Sequence, residues 1–259
     1  MIKRAVKTGR ITIGGGSPVS VQSMTNTDTA DTEATTAQLK ALEKAGCDIA
    51  RLAVRDFKDV EACRRYIENF DMPLVADIQF DYRLAVACAD IGFSKVGFNP
   101  GIKSAAGVRE LAAACKANGC PIRIGINGGS LEKDIKAKYG GVTAHGLAES
   151  AIRTVRSLER ESFSDIVISV KASDVRLTVD AYTELDKLCG YPLHIGITES
   201  GAGTDAIIKS AAGIGGLLLA GIGDTIRVSL TGDPVHEVIT GKSILRAVGL
   251  DKNLSLIHI

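Results

Sequence analysis

The chain has 259 residues, of which 45% are hydrophobic and 24% charged, a length typical of one (β/α)₈ barrel and near the upper end for a single core. Its formal net charge of +1 gives no global attraction to nucleic acid or membrane, and 4% aromatic residues without tryptophan remove the stacking platforms of a single-strand binder. No uninterrupted apolar run of about 18 residues occurs, and the basic start MIKRAVKTGRITIGGG lacks an apolar signal core, so a cytoplasmic protein with no membrane span is expected and any anion site must be local.

Along the chain, short β-branched runs alternate with longer amphipathic segments, the pattern of repeated βα units around a parallel sheet. In order, strands are expected over residues 19–25, 48–54, 74–80, 95–100, 122–127, 166–172, 193–199 and 225–231. Helical periodicity fills the intervals, as over 32–45 with Ala37, Leu39 and Leu42, and over 104–117 with Val108, Leu111 and Ala112. Gly46, Gly92, Gly119 and Gly190 stand just past helix ends, where a left-handed cap suits glycine. Asp174 is expected to cap the sixth helix, and Asp233-Pro234 to start the eighth. Eight units after a short lead-in predict an α/β fold, a (β/α)₈ TIM barrel forming a single domain over 1–250.

Six cysteines, Cys47, Cys63, Cys88, Cys115, Cys120 and Cys189, are scattered over helical segments. They read as reduced packing thiols, and the lone C-x₄-C of Cys115 and Cys120 has no second pair, so no metal site is expected. The glycine-rich turns, such as Gly201-Ala202-Gly203, offer backbone donors but no dinucleotide fingerprint.

A strand covered on both faces reads as a continuous apolar run. These strands instead alternate: Ile122, Ile124 and Ile126 with Arg123, Gly125 and Asn127, and Ile226, Val228 and Leu230 with Arg227, Ser229 and Thr231. The same parity gives Gln22 and Met24, Arg51, Asp77 and Gln79, Gly97 and Asn99, Ser169 and Lys171, and His194 and Thr198. The apolar set must meet the helices, so the polar set lines the lumen. Arg51, Arg123, Lys171 and Arg227 thereby converge with Asp77 inside and Glu199 at a strand end. A lone strand arginine reads equally well as half of a structural ion pair. An excess of buried cations, however, calls for a multiply anionic guest of about diphosphate size. His194 is read as a hydrogen-bonded core residue, and no histidine is given a catalytic role.

The stretches PVSVQSMTNTDT, AGCDIARLAV, PLVADIQFDYRLA, PIRIGINGGSLEKD, DIVISVKASDV, PLHIGITESG, IKSAAGIG and GIGDTIRVSLTGDPV together resemble the N-terminal barrel of the 4-hydroxy-3-methylbut-2-enyl diphosphate synthase family, IspG or GcpE, of the non-mevalonate isoprenoid pathway. The resemblance runs from about Ile2 to about Leu250. It implies an iron-sulfur oxidoreductase that reductively opens and dehydrates 2-C-methyl-D-erythritol 2,4-cyclodiphosphate, working as a homodimer with a [4Fe-4S] cluster fed by flavodoxin or ferredoxin. On its motifs, the diphosphate would be held by Arg51, Arg123, Lys171 and Arg227, with Asp77, Asn99, Asn127 and Ser229 as polar partners and Glu199 as the catalytic, proton-handling residue.

The chain departs from the family pattern in carrying Gln79 for a histidine and Gly97 for an arginine. It also lacks the C-terminal domain that supplies the cluster ligands, so it is expected to be the substrate-binding barrel, inactive alone. The closing DKNLSLIHI, residues 251–259, does not lead toward that domain and reads as a truncated or non-native tail, with a split protein as the other possibility. A dihydropteroate-synthase-like pterin transferase and a non-catalytic anion-binding barrel are the competing readings.

Overall fold

The structure, a computed structural model, describes residues 3–79, 81–98, 105–129 and 131–251. A small antiparallel hairpin comes first, β1 (Val6–Thr8) paired with β2 (Ile11–Ile13). Eight parallel strands follow: β3 (Ser20–Met24), β4 (Ile49–Ala53), β5 (Leu74–Asp77), β6 (Lys95–Phe98), β7 (Ile122–Asn127), β8 (Ile166–Lys171), β9 (His194–Ile195) and β10 (Thr225–Ile226). Their order is β8-β7-β6-β5-β4-β3-β10-β9. A parallel bridge between Ile168 and Leu193 joins the two ends, with Ile168 N–H donating to the Pro192 carbonyl at 2.9 Å. The sheet is thus a barrel, as the alternating pattern predicts.

The helices are α1 (Thr32–Lys44), α2 (Phe57–Asn69), α3 (Tyr82–Asp90), α4 (Ala105–Ala117), α5 (Lys133–Tyr139), α6 (Ala144–Arg160), α7 (Val175–Leu188), α8 (Gly203–Leu219) and α9 (Val235–Ala247). Side chains fix many of their starts: Asp31, Asp56, Asp81, Thr143 and Asp174 each accept from a backbone N–H of the first turn, satisfying donors that a helix leaves unpaired. Val235 N–H bonds the Asp233 carboxylate at 2.9 Å. In α6, Leu147, Ala151, Val155 and Leu158 recur at helical spacing and are buried against the sheet, which is why this segment settles as an amphipathic layer.

Three features differ from expectation. The lead-in is the hairpin, whose Val6 and Ile13 pack with Ile49, Val75 and Val167 from the lumen and so stopper the barrel at the strand N-terminal end. Its strands are too short for alternation to reveal them. Second, β9 and β10 keep only two laddered residues each; beyond them single bonds such as Arg227 N–H to the Ile195 carbonyl (3.0 Å) hold the chains side by side. Third, Gly46, Gly92 and Gly119 take the left-handed conformation but Gly190 does not, because α7 ends at Cys189 in extended backbone (φ −150°, ψ 155°).

Candidate functional site

Strand parity divides each strand cleanly. Val21, Leu52, Leu74, Ala76, Val96, Ile122, Ile124, Ile168 and Ile226 belong to the core between sheet and helices, which sends their neighbours into the lumen. At the strand C-terminal ends these neighbours surround a cavity of about 490 Å³ lined by Arg51, Asp77, Gln79, Gly97, Arg123, Gly125, Asn127, Ser169, Lys171, Thr198, Arg227 and Ser229, among others. Barrels of this kind place their chemistry at that end.

The charges form two pairs and a remainder. Asp77 Oδ1 accepts from Arg123 Nη2 at 2.9 Å, and Arg51 Nε stands 4.0 Å from Asp77 Oδ2. Arg51 also donates from Nε and Nη2 to the Met24 thioether at 3.1 and 3.0 Å, a weak acceptor that leaves its charge uncompensated. Arg227 is gripped by Glu237 of α9, Nη2 to Oε1 at 2.9 Å and Nε to Oε2 at 3.2 Å. Lys171, buried at 8% exposure, pairs with no carboxylate among the described residues.

Electrostatics follow from this excess. Burial, reinforced by Arg123 and Arg227 and only partly offset by Asp77, pulls Arg51 down to about 9. Lys171 is pushed well below its ordinary value by burial and then by Arg51, Arg123 and Arg227. Burial alone would raise the Asp77 carboxyl, but Arg51 and Arg123, with Arg227 and Lys171 behind them, hold it below the usual carboxylate range. A site whose cations repel one another and whose acid Asp77 is already engaged gains most from an anion with more than one charge.

The structure places all but one of the expected site residues. Arg51, Asp77, Arg123, Asn127, Lys171, Arg227 and Ser229 all line the cavity. Glu199 is not among its lining residues; it is exposed, in the loop beyond β9, with left-handed backbone (φ 53°). Asn99 lies outside the described residues. His194 is fully buried as expected, but neither ring nitrogen has a hydrogen-bond partner. Burial and the charges of Lys171, Arg123, Lys95 and Arg51 keep its imidazole neutral. Gln79 stands exposed at the rim. A Cβ at Gly97 would lie 3.1 Å from both Arg123 Nη2 and Asp77 Oδ1, so this pair closes across the space that a side chain there would claim.

Residues 3–242 match the family model described as the GcpE TIM-barrel domain. The chain belongs to the GcpE family. Relatives named 4-hydroxy-3-methylbut-2-en-1-yl diphosphate synthase (flavodoxin) include those of Caldanaerobacter subterraneus subsp. tengcongensis, 53% identical over 97% of this chain and 71% of that protein, and of Ruminiclostridium cellulolyticum, 54% identical over 96% of this chain and 71% of that protein. The chain therefore spans about 71% of these GcpE relatives, their barrel part. Among solved structures, a type I 3-dehydroquinate dehydratase from Clostridium difficile superposes with a TM-score of 0.69 at 13% identity, covering 95% of this chain and 98% of that one; at that identity the likeness concerns the barrel fold alone.

Two supports of this GcpE site escaped the sequence reading. Glu237, 2% exposed, reaches in from the first turn of α9; its signal was a glutamate beside buried Val238 and Thr240 on an inward helix face. Tyr182 of α7 is fully buried and donates to the His194 carbonyl at 2.5 Å while accepting from Val170 N–H at 3.2 Å, tying β8 to β9 beside Lys171. Gly196 matters for close approach: a Cβ there would sit 2.5 Å from the Arg227 carbonyl oxygen and 3.0 Å from Lys171 Nζ. Gly196→Ala is expected to lower stability by about 1–3 kcal/mol and to displace the lysine. A denaturant midpoint and an anion-binding isotherm would both register it, and an unchanged midpoint would show that the strand yields freely.

Proposed function

We propose that residues 1–250 are the substrate-binding barrel of a 4-hydroxy-3-methylbut-2-enyl diphosphate synthase, binding 2-C-methyl-D-erythritol 2,4-cyclodiphosphate for reductive ring opening and dehydration. The observation that carries this reading is the cluster of Arg51, Arg123, Lys171 and Arg227 around one open cavity, lined by Asp77 as its carboxylate. In it the two phosphates lie between these cations, and Asp77, Asn127 and Ser229 meet the hydroxylated carbons. Glu199, on its exposed loop, reaches the reacting carbons to handle a proton once the loop closes on substrate. Asn99 completes the polar partners on motif grounds.

The [4Fe-4S] cluster implied by the resemblance does not fit the described residues. They contain no group of three or more His, Cys, Asp or Glu able to hold a metal. Burial drives the thiols of Cys47 and Cys63 up to about 12, whereas such clusters are held by thiolates. The reducing step therefore belongs to a cluster-bearing domain beyond residue 250, with flavodoxin, the donor in the relatives' names, or ferredoxin supplying electrons and a homodimer partner closing the cavity. Residues 251–259 are proposed to be a non-native or truncated tail; Lys252 to Ile259 lie outside the described residues.

Calorimetry with the cyclic diphosphate tests the reading. Arg227→Ala and Lys171→Ala are each expected to weaken binding by about 1.5–3 kcal/mol, the worth of a hydrogen bond to a charged group. Undiminished affinity in both variants would mean that the cations serve the fold alone.

A further inference from the structure

Below the cavity the barrel holds a fifth basic side chain that the proposed binding set does not use. Lys95 opens β6, two residues before cavity-lining Gly97 and in register with lumen residue Val75, while Val96 between them faces the helices. Its side chain therefore projects inward beneath the cavity floor. Lys95 is 0% exposed and its Nζ has no hydrogen-bond partner. Unpartnered polar atoms surround this level of the lumen: both side-chain atoms of Gln22, both ring nitrogens of His194 and Nε of Arg123.

The ionisable groups around this level are Arg51 from β4, Asp77 from β5, Arg123 from β7 with Cys120 just before it, Lys171 from β8, His194 from β9 and Arg227 just past β10. Below, the charged residues of the hairpin, Lys7 and Arg10, are exposed. The nearby carboxylates are engaged elsewhere, Asp77 by Arg123 and Glu237, on α9, by Arg227. An ammonium placed here is desolvated, lacks a counter-charge and faces other cations. Burial first, then Arg123 and Arg51, bring Lys95 down to about 7.

We infer that Lys95 is a positioning residue that takes up a proton from solvent when a dianion occupies the cavity above it, so that anion affinity is linked to pH. This rests on the cavity being the diphosphate site. The sign follows from linkage: the anion favours the charged form of Lys95, so the bound state holds more protons than the free state and affinity falls as pH rises. With one proton linked, the association constant should fall about tenfold per pH unit above roughly pH 7.5.

The test is calorimetry on the whole chain in buffers of different ionisation enthalpy, with the cyclic diphosphate and, separately, with sulfate; neither ligand exchanges a proton near neutral pH. The expected result at pH 8 is uptake approaching one proton per site, a pH-dependent affinity, and loss of both in Lys95→Met, which keeps length without charge. Should that variant fail to fold, Lys95→Gln serves the same comparison. Binding without uptake in the wild type, or uptake that persists in the variants, would overturn the inference alone. Sulfate binding with uptake, but no binding of the cyclic diphosphate, would uphold Lys95 as the linked group and overturn the substrate reading instead. Failure of both anions to bind would overturn the two together.

Discussion

Glu237→Ala is expected to destabilise the barrel by about 3–5 kcal/mol, the range for removing one partner of a buried ion pair. Glu237 is 2% exposed and accepts four hydrogen bonds: two from Arg227, one from Ser23 Oγ at 2.8 Å and one from Leu230 N–H at 3.2 Å. It therefore joins α9, β3 and the chain just after β10, and its charge is the direct counterweight to Arg227. Without it, Arg227 is left beside Arg51 and Lys171, on both of which its charge already acts unfavourably. Glu237→Gln, which keeps the shape and some of the acceptors, should lose less. Urea midpoints of the two variants would check this, and pyrophosphate should recover part of the loss by binding only the folded state. A loss below about 1 kcal/mol for the alanine variant, within the range of an exposed pair, would show that water reaches Arg227 and that the pair is not buried in effect.

The barrel itself was legible because eight β-branched runs alternate with amphipathic segments, and its polar lumen because those strands are half polar. Had the lumen been packed with branched residues, 122–127 and 225–231 would have read as plain buried strands and the cavity would have gone unseen. Alternation told which residues face inward, and hence that Arg51, Arg123, Lys171 and Arg227 meet in one place. It could not tell which acids they meet. Glu237 arrives from a helix of separate phase, and no spacing rule connects residue 237 with Ser23 across the closed barrel. Glu199 shows the opposite limit: its position just past a strand predicts nearness, yet the residue stands exposed to solvent, with left-handed backbone. The hairpin stopper and the orphaned atoms of Lys95 and His194 depend on three-dimensional closure and left no local mark.

Asp77→Asn should move stability and anion affinity in opposite directions. Asp77 is the carboxylate that lines the cavity, paired with Arg123 at 2.9 Å and near Arg51 at 4.0 Å, its side chain 22% exposed to the opening. Replacing its charge by an amide leaves a weaker acceptor among cations that burial already disfavours, a loss of about 1.5–3 kcal/mol in folding free energy. For inorganic pyrophosphate, which has no hydroxyl to offer Asp77, the same change removes a repulsive charge from the site. At roughly 6 Å and an effective dielectric of about 20 that repulsion is on the order of 1–3 kcal/mol per charge pair, so the variant should bind pyrophosphate about tenfold or more tightly. The pH dependence has a fixed sign. The folded-state value of Asp77 is held below its ordinary 3.8, so its contribution to stability is fully present above that ordinary value and is lost as pH falls through the depressed one. The stability difference between wild type and variant should accordingly be full at neutral pH and shrink only below about pH 4. Denaturant titrations at pH 7 and pH 3.5, with pyrophosphate isotherms at pH 7, would check both halves. A variant that bound pyrophosphate more weakly than wild type would mean that Asp77 acts chiefly by holding Arg123 and Arg51 in place, and that the free charge of the cavity is not what draws the anion in.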